Sequence, residues 1–257
     1  MVEPEEQLEE SSLVSHLIEL RDRLLRMLIC VTVVVIALFP FRKKIYSFLA
    51  EPLTQHMPDG ASMIAIEVAS TFLAPFKMVV MLAVVLSVPY LLHQVWSFVA
   101  PGLYQREKKF AAPLLCSSVL LFYIGMTFAY YVVFPLVFGF FAKEAPAGVA
   151  VMTDISRYLD FVIKLFFAFG LSFEVPIATY LVVSAGLVKI ETLKNSRPYI
   201  IVGAFVVGML LTPPDIISQV LLAVPIWLLF EVGLLFAQST TKKDSDSESA
   251  ASELNDS

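Results

Sequence analysis

Two carboxylates, Glu174 and Glu107, occupy positions where an acid needs a chemical reason. Glu174 lies at the centre of an apolar segment long enough to cross a bilayer, where a charged group costs about 3 kcal/mol on insertion scales. An acid at this depth indicates a function inside the membrane. Glu107 lies in a short basic loop with aromatic residues, where a carboxylate can accept a guanidinium through paired hydrogen bonds.

The loop around Glu107 runs from Phe98 to Lys109 and allows two interpretations. In the first, it is a polar turn whose basic residues anchor the chain at the lipid headgroups. That interpretation leaves the exposed aromatic residues and Glu107 without a role. In the second, Glu107 accepts a guanidinium and the aromatic residues supply an apolar wall. The residues alone leave both interpretations open.

Glu174 also allows two interpretations. As a buried acid it is protonated and hydrogen-bonded to a neighbouring helix, because desolvation favours the neutral form. As a functional group it draws water and headgroups into the membrane and thins the bilayer locally. Lys164 is ten residues away in the sequence. This separation is about 15 Å along a helix axis, so Lys164 is a poor ion-pair partner.

Catalytic and metal-binding patterns are absent from the sequence. The three histidines, His16, His56 and His93, lie in three different regions. No HExxH, GxSxG or glycine-rich phosphate loop occurs. The two cysteines, Cys30 and Cys116, both fall inside apolar segments and have no nearby cysteine with which to bind a metal. We therefore expect neither enzymatic activity nor a cofactor, a metal site or a nucleic-acid partner.

These residues are positioned by six apolar segments. Hydrophobic residues make up 58% of the chain and charged residues 16%, a composition typical of membrane proteins. We predict an all-α integral membrane domain over residues 12–238, flanked by acidic disordered tails at 1–11 and 239–257. The third segment is expected to end before Pro135, and the fifth is short for a bilayer crossing. The predicted membrane segments are 24–41, 76–97, 110–133, 158–183, 198–211 and 216–238.

The distribution of basic residues predicts that both chain ends face the cytoplasm. With that orientation, the inside pieces hold 11 Lys and Arg residues and the outside pieces hold six, which agrees with the positive-inside rule. The inside residues are Arg21, Arg23, Arg26, Arg106, Lys108, Lys109, Lys189, Lys194, Arg197, Lys242 and Lys243. The outside residues are Arg42, Lys43, Lys44, Lys77, Lys143 and Arg157.

Helical periodicity is also present outside the six segments. Over residues 12–25, leucines recur on one helical face, which predicts an amphipathic helix along the membrane interface. Glu19 and Arg23 stand four residues apart on it and are expected to form an ion pair. The long outer loop is expected to form short helices that cap the outer face, with a break at Pro52.

Four motifs together resemble one known family. They are His16–Leu24 (HLIELRDRL), Phe98–Glu107 (FVAPGLYQRE), Phe173–Pro176 (FEVP) and Thr212–Asp215 (TPPD). Each motif is short, but four in this order on a six-helix chain resemble the TatC family, the core subunit of the twin-arginine protein translocase. The resemblance implies a receptor that reads an arginine pair in a signal peptide and exports folded proteins across the bacterial inner membrane, driven by the protonmotive force.

The resemblance also implies roles for individual residues and partners. Arg21 does not fit a guanidinium receptor, because it repels arginine, and Glu19 and Asp22 are too close in sequence to face it well. The implied partners are twin-arginine signal peptides, single-span subunits of the TatA/TatB type and further copies of the chain. The implied residues are Glu19, Leu20, Arg21, Phe98, Pro101 and Glu107 for signal-peptide binding, Glu174 inside the membrane, Met209, Leu210, Thr212, Asp215 and Gln219 for partner helices, and Pro52 in the outer cap.

Alternatives remain at two levels. Thr212, Gln219 and Glu231 either form intramolecular hydrogen bonds or contact the partner helices, where such bonds contribute about 1 kcal/mol each. For the whole chain, the main alternative is a small proton-coupled secondary transporter that uses Glu174 as a relay. Transporters usually contain internal repeats, and none is visible here. A purely structural subunit is a third possibility, but it leaves Glu107 beside Phe98 unexplained.

Overall fold

The computed structural model describes residues 4–54, 63–99, 111–143, 153–211 and 216–255. Within these ranges the chain is almost entirely helical. Two short strands, β1 (Met63–Ile64) and β2 (Thr153–Asp154), pair in parallel. The helices are α1 (Pro4–Leu38), α2 (Arg42–Thr54), α3 (Ser70–Val99), α4 (Ala111–Phe128), α5 (Phe134–Lys143), α6 (Ile155–Ser172), α7 (Val175–Ser184), α8 (Ile190–Asn195), α9 (Arg197–Leu211) and α10 (Ile216–Asn255).

In the part of the chain that the structure describes, five helical stretches are long and apolar enough to cross a membrane. They are Val14–Phe48, Ser70–Phe98, Ala112–Phe140, Ile155–Ser184 and Gln219–Ser239. The remaining apolar helix, α9, has 15 residues, about 22 Å at 1.5 Å per residue, against a hydrocarbon core of about 30 Å. The predicted all-α membrane fold is confirmed, and the fifth apolar helix is short as expected.

Both chain ends differ from the predicted disordered tails. Helix α1 begins at Pro4 and continues without a break to Leu38, and α10 continues to Asn255. No glycine or proline interrupts the sequence between Glu5 and Leu38. Glutamates near a helix N-terminus also interact favourably with the helix dipole. The predicted interfacial helix and the first membrane segment therefore form one helix.

The third apolar segment continues past its predicted end near Val133. A π-helical turn, Ala129–Val133, joins α4 to α5, and the Phe134 N–H donates to Ala129 O five residues back. Pro135 cannot donate a backbone hydrogen bond, and its ring crowds the carbonyl four residues earlier. The wider turn accommodates the proline. The helix therefore continues past Pro135 with one turn of changed hydrogen bonding instead of ending.

Pro52 lies in the last turn of α2, which ends at Thr54. The helix therefore stops two residues after the predicted break. A proline near the end of a helix removes a backbone donor, which disfavours further turns.

One compact unit comprises residues 1–49 and 67–119. In it α1 runs antiparallel to α3, as contacts along both helices show. The buried Trp96 Nε1 donates to Ser118 Oγ at 3.4 Å and connects α3 to the middle of α4. The contacts between α1 and α3 are His16 with Phe98 (ring centroids 4.2 Å), Cys30 with Ser87 (Sγ–Oγ 3.8 Å) and, at the end of α1, Phe39 with Phe76 (centroids 6.3 Å).

The second compact unit comprises residues 50–66 and 120–257. In it α10 packs against α7 and α9. The close approach of α10 to α7 depends on Gly233, because a Cβ there would lie 2.6 Å from Pro176 Cα. An aromatic cluster fills the space around the π-helical turn and α6, with ring centroids 5.0–6.5 Å apart. Its members include Phe128, Tyr130, Phe134, Phe138, Tyr158, Phe166 and Phe169.

Candidate functional site

The guanidinium of Arg23 joins α1 to the end of α3. Its Nε donates to Glu19 Oε1 at 3.0 Å, and Nη2 donates to the same oxygen. Nη2 also donates to Ser97 O at 3.1 Å, and Nη1 donates to Gln94 O at 3.4 Å. The side chain of Arg23 is only 18% exposed. We call His16, Glu19, Arg23, Gln94, Ser97 and Phe98 the Arg23 cluster.

Arg23 donates hydrogen bonds to backbone carbonyls near the C-terminal end of α3. The last carbonyls of a helix have no intrahelical donor, and α3 ends at Val99. Ser97 O is one of these last carbonyls, and the guanidinium of Arg23 satisfies it. The guanidinium also lies at the negative end of the helix dipole. The predicted ion pair between Glu19 and Arg23 is confirmed. The bonds to α3 were not predicted, because no pattern in the sequence shows which turn of α3 faces α1.

The two carboxylate oxygens of Glu19 have different neighbours in this arrangement. Oε1 accepts both hydrogen bonds from Arg23, and Oε2 lies 3.9 Å from His16 Nδ1. The ring of His16 stacks on Phe98, with an interplanar angle of 23°. Glu19 is 39% exposed. The cluster therefore presents one carboxylate oxygen beside an aromatic surface.

Leu20 and Arg21 line a shallow groove on α1 of about 300 Å³. The predicted leucine stripe is present, but its members are exposed rather than packed on another helix. The other lining residues are Leu17, Leu24, Leu25 and Leu28.

The prediction that Arg21 has no well-placed acid is wrong. Arg21 Nη2 lies 2.8 Å from Asp22 Oδ1, and Nε donates to the same oxygen at 3.0 Å. The long arginine side chain folds back far enough to reach its neighbour. Much of each side chain is open to solvent, 66% for Arg21 and 46% for Asp22.

Pro101 and Glu107, the other two predicted signal-peptide residues, lie outside the described residues. In the sequence they follow Phe98 and precede α4. The structure thus brings together Glu19 and Phe98, and it describes Leu20 and Arg21 next to Glu19 on α1.

Glu174 lies between two helices rather than inside one. The predicted segment 158–183 is divided into α6 and α7 at Phe173–Glu174. Pro176 has no N–H to donate to the Ser172 carbonyl, and its ring crowds that carbonyl. The helix therefore breaks one turn before the proline. Glu174 precedes the first residue of α7, and its Oε1 is buried.

Helices α9 and α10 form a hairpin joined at both ends by polar contacts. Gln219 Nε2 donates to Phe205 O at 2.9 Å, and Arg197 Nη2 lies 2.8 Å from Glu231 Oε2. Gln219 also lies against Gly208, where a Cβ would be 3.2 Å from the Gln219 Cγ. The Nε2 of Gln219 is therefore used inside the hairpin, and Glu231 pairs within it as well.

The remaining residues predicted for partner helices divide into two groups. Met209 and Leu210, on α9, are 52% and 69% exposed. Thr212 and Asp215 lie in the connection between α9 and α10, outside the described residues. Among the residues that the structure describes, no group of three His, Cys, Asp or Glu side chains could hold a metal ion.

Comparisons with known proteins agree on one family. Residues 15–225 match the family model described as Sec-independent protein translocase protein (TatC). A protein of that name from Azotobacter chroococcum mcd 1 is 60% identical over 228 residues, which cover 89% of each chain. Another, from Escherichia coli strain K12, is 54% identical over 226 residues, or 88% of each chain.

A solved structure shows the same similarity in three dimensions. The crystal structure of a twin arginine translocase receptor, TatC, superposes with a TM-score of 0.80 at 34% sequence identity. The match covers 88% of this chain and 99% of the other.

Proposed function

The chain belongs to the TatC family of Sec-independent protein translocase proteins, and from this premise we propose that it is the twin-arginine signal-peptide receptor and assembly core of its translocase. It is a multi-pass membrane protein and a translocase component rather than an enzyme. Its role involves other subunits of the translocase and signal peptides.

The proposed setting is the bacterial inner membrane, with both chain ends in the cytoplasm and the protonmotive force driving export of folded cargo. The excess of Lys and Arg in the segments assigned to the inside supports this orientation. Relatives from several bacteria carry the translocase name.

The proposed receptor surface consists of Glu19, Leu20, Arg21, Phe98, Pro101 and Glu107. The observation that carries it is the Arg23 cluster, because Arg23 fixes the end of α3 against the Glu19 turn of α1. The loop with Glu107 follows this fixed end directly in the sequence. A carboxylate beside an aromatic wall suits a guanidinium, which is planar, weakly hydrated and able to bind bidentately.

For partner subunits we propose that single-span helices of the TatA/TatB type bind along α9. The exposed side chains of Met209 and Leu210 supply the apolar contact. Thr212 and Asp215 add polar contacts at the end of the helix, and Gln219 supports the surface from inside the hairpin. Further copies of the chain join the receptor complex, with Pro52 in the outer cap. The short α9 also suits a locally thinned bilayer.

Glu174 has a role inside the membrane in this proposal. The break between α6 and α7 interrupts regular backbone hydrogen bonding at the acid. Irregular backbone and an acid at membrane depth both favour nearby water. A transporter that uses Glu174 as a proton relay is not favoured, because the chain belongs to a protein-translocase family.

The proposal is tested by peptide binding to the purified protein. Glu107→Ala is expected to abolish binding of a labelled twin-arginine peptide while the protein stays folded. Removing one member of a partly buried guanidinium–carboxylate pair costs about 2–5 kcal/mol, or roughly 30-fold or more in affinity. A twin-lysine peptide serves as the control ligand.

The matched control variant is Glu191→Ala. Glu191 is an exposed acid on α8 and has the same charge as Glu107. It is expected to leave peptide affinity unchanged. Unchanged affinity in Glu107→Ala as well would remove Glu107 from the receptor surface.

A further inference from the structure

We infer that Arg23 sets the preference of Glu19 for arginine over lysine. Its guanidinium forms an ion pair with Glu19 in the ligand-free protein and so compensates the negative charge of Glu19. The inference rests on the proposed function, since it concerns the ligand of the same surface. It goes beyond that function by giving a specificity role to a residue outside the predicted receptor set.

The first observation is that Arg23 is anchored independently of Glu19. Its Nη1 donates to Gln94 O at 3.4 Å and its Nη2 donates to Ser97 O at 3.1 Å. These carbonyls belong to the C-terminal part of α3, the negative end of that helix. The guanidinium is mostly shielded from solvent, with 18% of the side chain exposed. Its positive charge is therefore fixed in place whether or not a ligand is bound.

The second observation is that Arg23 uses only one oxygen of Glu19. Oε1 accepts from both Nε and Nη2 of Arg23. The other oxygen, Oε2, lies 3.9 Å from His16 Nδ1, and the side chain of Glu19 is 39% exposed. A ligand therefore meets a carboxylate whose charge is balanced but whose second oxygen still accepts hydrogen bonds.

This arrangement changes which cations the carboxylate prefers. An uncompensated carboxylate attracts a compact ammonium most strongly, and this attraction offsets the loss of the water that the ammonium holds tightly. When the charge is balanced, attraction depends more on directional hydrogen bonds. The guanidinium keeps these bonds through its rigid planar donors, whereas the ammonium is a strongly hydrated point charge. Arg23 is thus a positioning residue that makes Glu19 selective.

The test compares labelled twin-arginine and twin-lysine peptides on the full-length protein in detergent at low salt. Arg23→Gln removes the compensating charge and keeps a side chain that can hydrogen-bond to α3. It is expected to strengthen twin-lysine binding by about two- to fivefold, the effect of one exposed ion pair. The ratio of arginine to lysine affinity should fall correspondingly.

The matched control is Arg26→Gln, which removes one positive charge from the same helix. Arg26 is exposed and forms no ion pair within the described part of the chain. This variant should leave the ratio unchanged. Glu19→Gln combined with Arg23→Gln should show the same ratio as Glu19→Gln alone, because no carboxylate remains to be uncovered.

Two results would overturn the inference. One is an unchanged ratio in Arg23→Gln, which includes an equal loss for both peptides and then indicates a structural role only. The other is an increased ratio. If Arg23→Gln does not fold, Glu19→Gln alone decides the matter. It should weaken twin-arginine binding more than twin-lysine binding, and an equal loss for both peptides would contradict the inference.

Failure of the inference differs from failure of the proposed function. If the unmodified protein does not prefer the twin-arginine peptide, the receptor function is wrong. If it does, and Glu107→Ala abolishes binding while Arg23→Gln leaves the ratio unchanged, only the role given to Arg23 is wrong.

Discussion

Arg21 and Arg23 stand two residues apart on α1, and their surroundings differ completely. The side chain of Arg21 is mostly exposed and pairs with its neighbour Asp22. Arg23 is shielded and donates to Glu19 and to two carbonyls of α3. An exposed ion pair contributes little because water and salt screen it. A shielded guanidinium that satisfies a helix-end carbonyl contributes more, because its loss leaves Ser97 O without a donor.

This contrast predicts different effects on stability. Arg21→Ala is expected to change the free energy of unfolding by about 0–1 kcal/mol. Arg23→Ala is expected to lower it by about 1–3 kcal/mol, because Ser97 O at the end of α3 loses its donor. Thermal unfolding of both variants in the same detergent provides the measurement. Equal midpoints for the two variants would mean that the Arg23 contacts do not stabilise the α1–α3 pair.

Glu174 can be tested with two substitutions that separate its polarity from its charge. Glu174→Gln keeps the size and hydrogen-bonding capacity, whereas Glu174→Ala removes both. If the acid makes the α6–α7 break hospitable to water, the Gln variant should retain much of the transport activity and the Ala variant less. A proton relay requires titration, so in that case both variants should be inactive.

Transport of a folded reporter in cells carrying each variant distinguishes these cases. Full activity of the Ala variant would exclude both roles. Glu174 would then be an acid that the membrane segment merely tolerates.

At the scale of helices, glycines decide how closely the elements of the second unit pack. Gly233 on α10 faces the backbone of Pro176. A Cβ added at Gly125 on α4 would lie 2.6 Å from the carbonyl oxygen of Phe169. Backbone cannot move aside as a flexible side chain can. These contacts therefore hold α10 and α4 against the two helices on either side of Glu174.

Substitution of two glycines tests this packing. Gly233→Ala should lower the free energy of unfolding by about 1–3 kcal/mol, the usual cost of overpacking. Gly203 on α9 is the matched control, because nothing lies within 4 Å of a Cβ at that position. Gly203→Ala should be neutral or stabilising by up to about 1 kcal/mol, since alanine favours helix. Equal effects of the two substitutions would contradict a close α7–α10 contact.

The sequence predicted the helices well but not the places where they deviate. Apolar composition and segment length identified six apolar helices, because a bilayer imposes both. Pro135 and Pro176 both lie within apolar segments. A π-helical turn precedes Pro135 and the helix continues, whereas the helix breaks before Pro176. The choice depends on how neighbouring helices pack, which a local pattern does not contain.

The candidate site was predictable to a similar extent. The i, i+4 spacing of Glu19 and Arg23 predicted their ion pair. The stacking of His16 on Phe98 and the bonds from Arg23 to α3 join residues more than 70 positions apart. Such contacts follow from the alignment of two antiparallel helices, and this alignment is fixed only when the helices pack.

At the scale of the whole molecule, the five long apolar stretches and the shorter α9 found among the described residues predict an even number of crossings. The two chain ends should therefore lie on the same side of the membrane. Reporter fusions at Lys194 and at the C-terminus should both report the cytoplasm, and a tag near Asp59 should be accessible from outside. The physical basis is the 11-to-six distribution of Lys and Arg. A cytoplasmic location for Asp59 would contradict six crossings.

The shortness of α9 also bears on how the chain is made. At 15 residues, it falls below the roughly 17–25 apolar residues with which a helix spans the bilayer by itself. Helix α10, which follows almost at once, supplies the missing apolar surface and binds α9 through Gln219 and Glu231. During biosynthesis we therefore expect α9 to remain at the insertion machinery until α10 emerges from the ribosome. The two helices should then enter the lipid together.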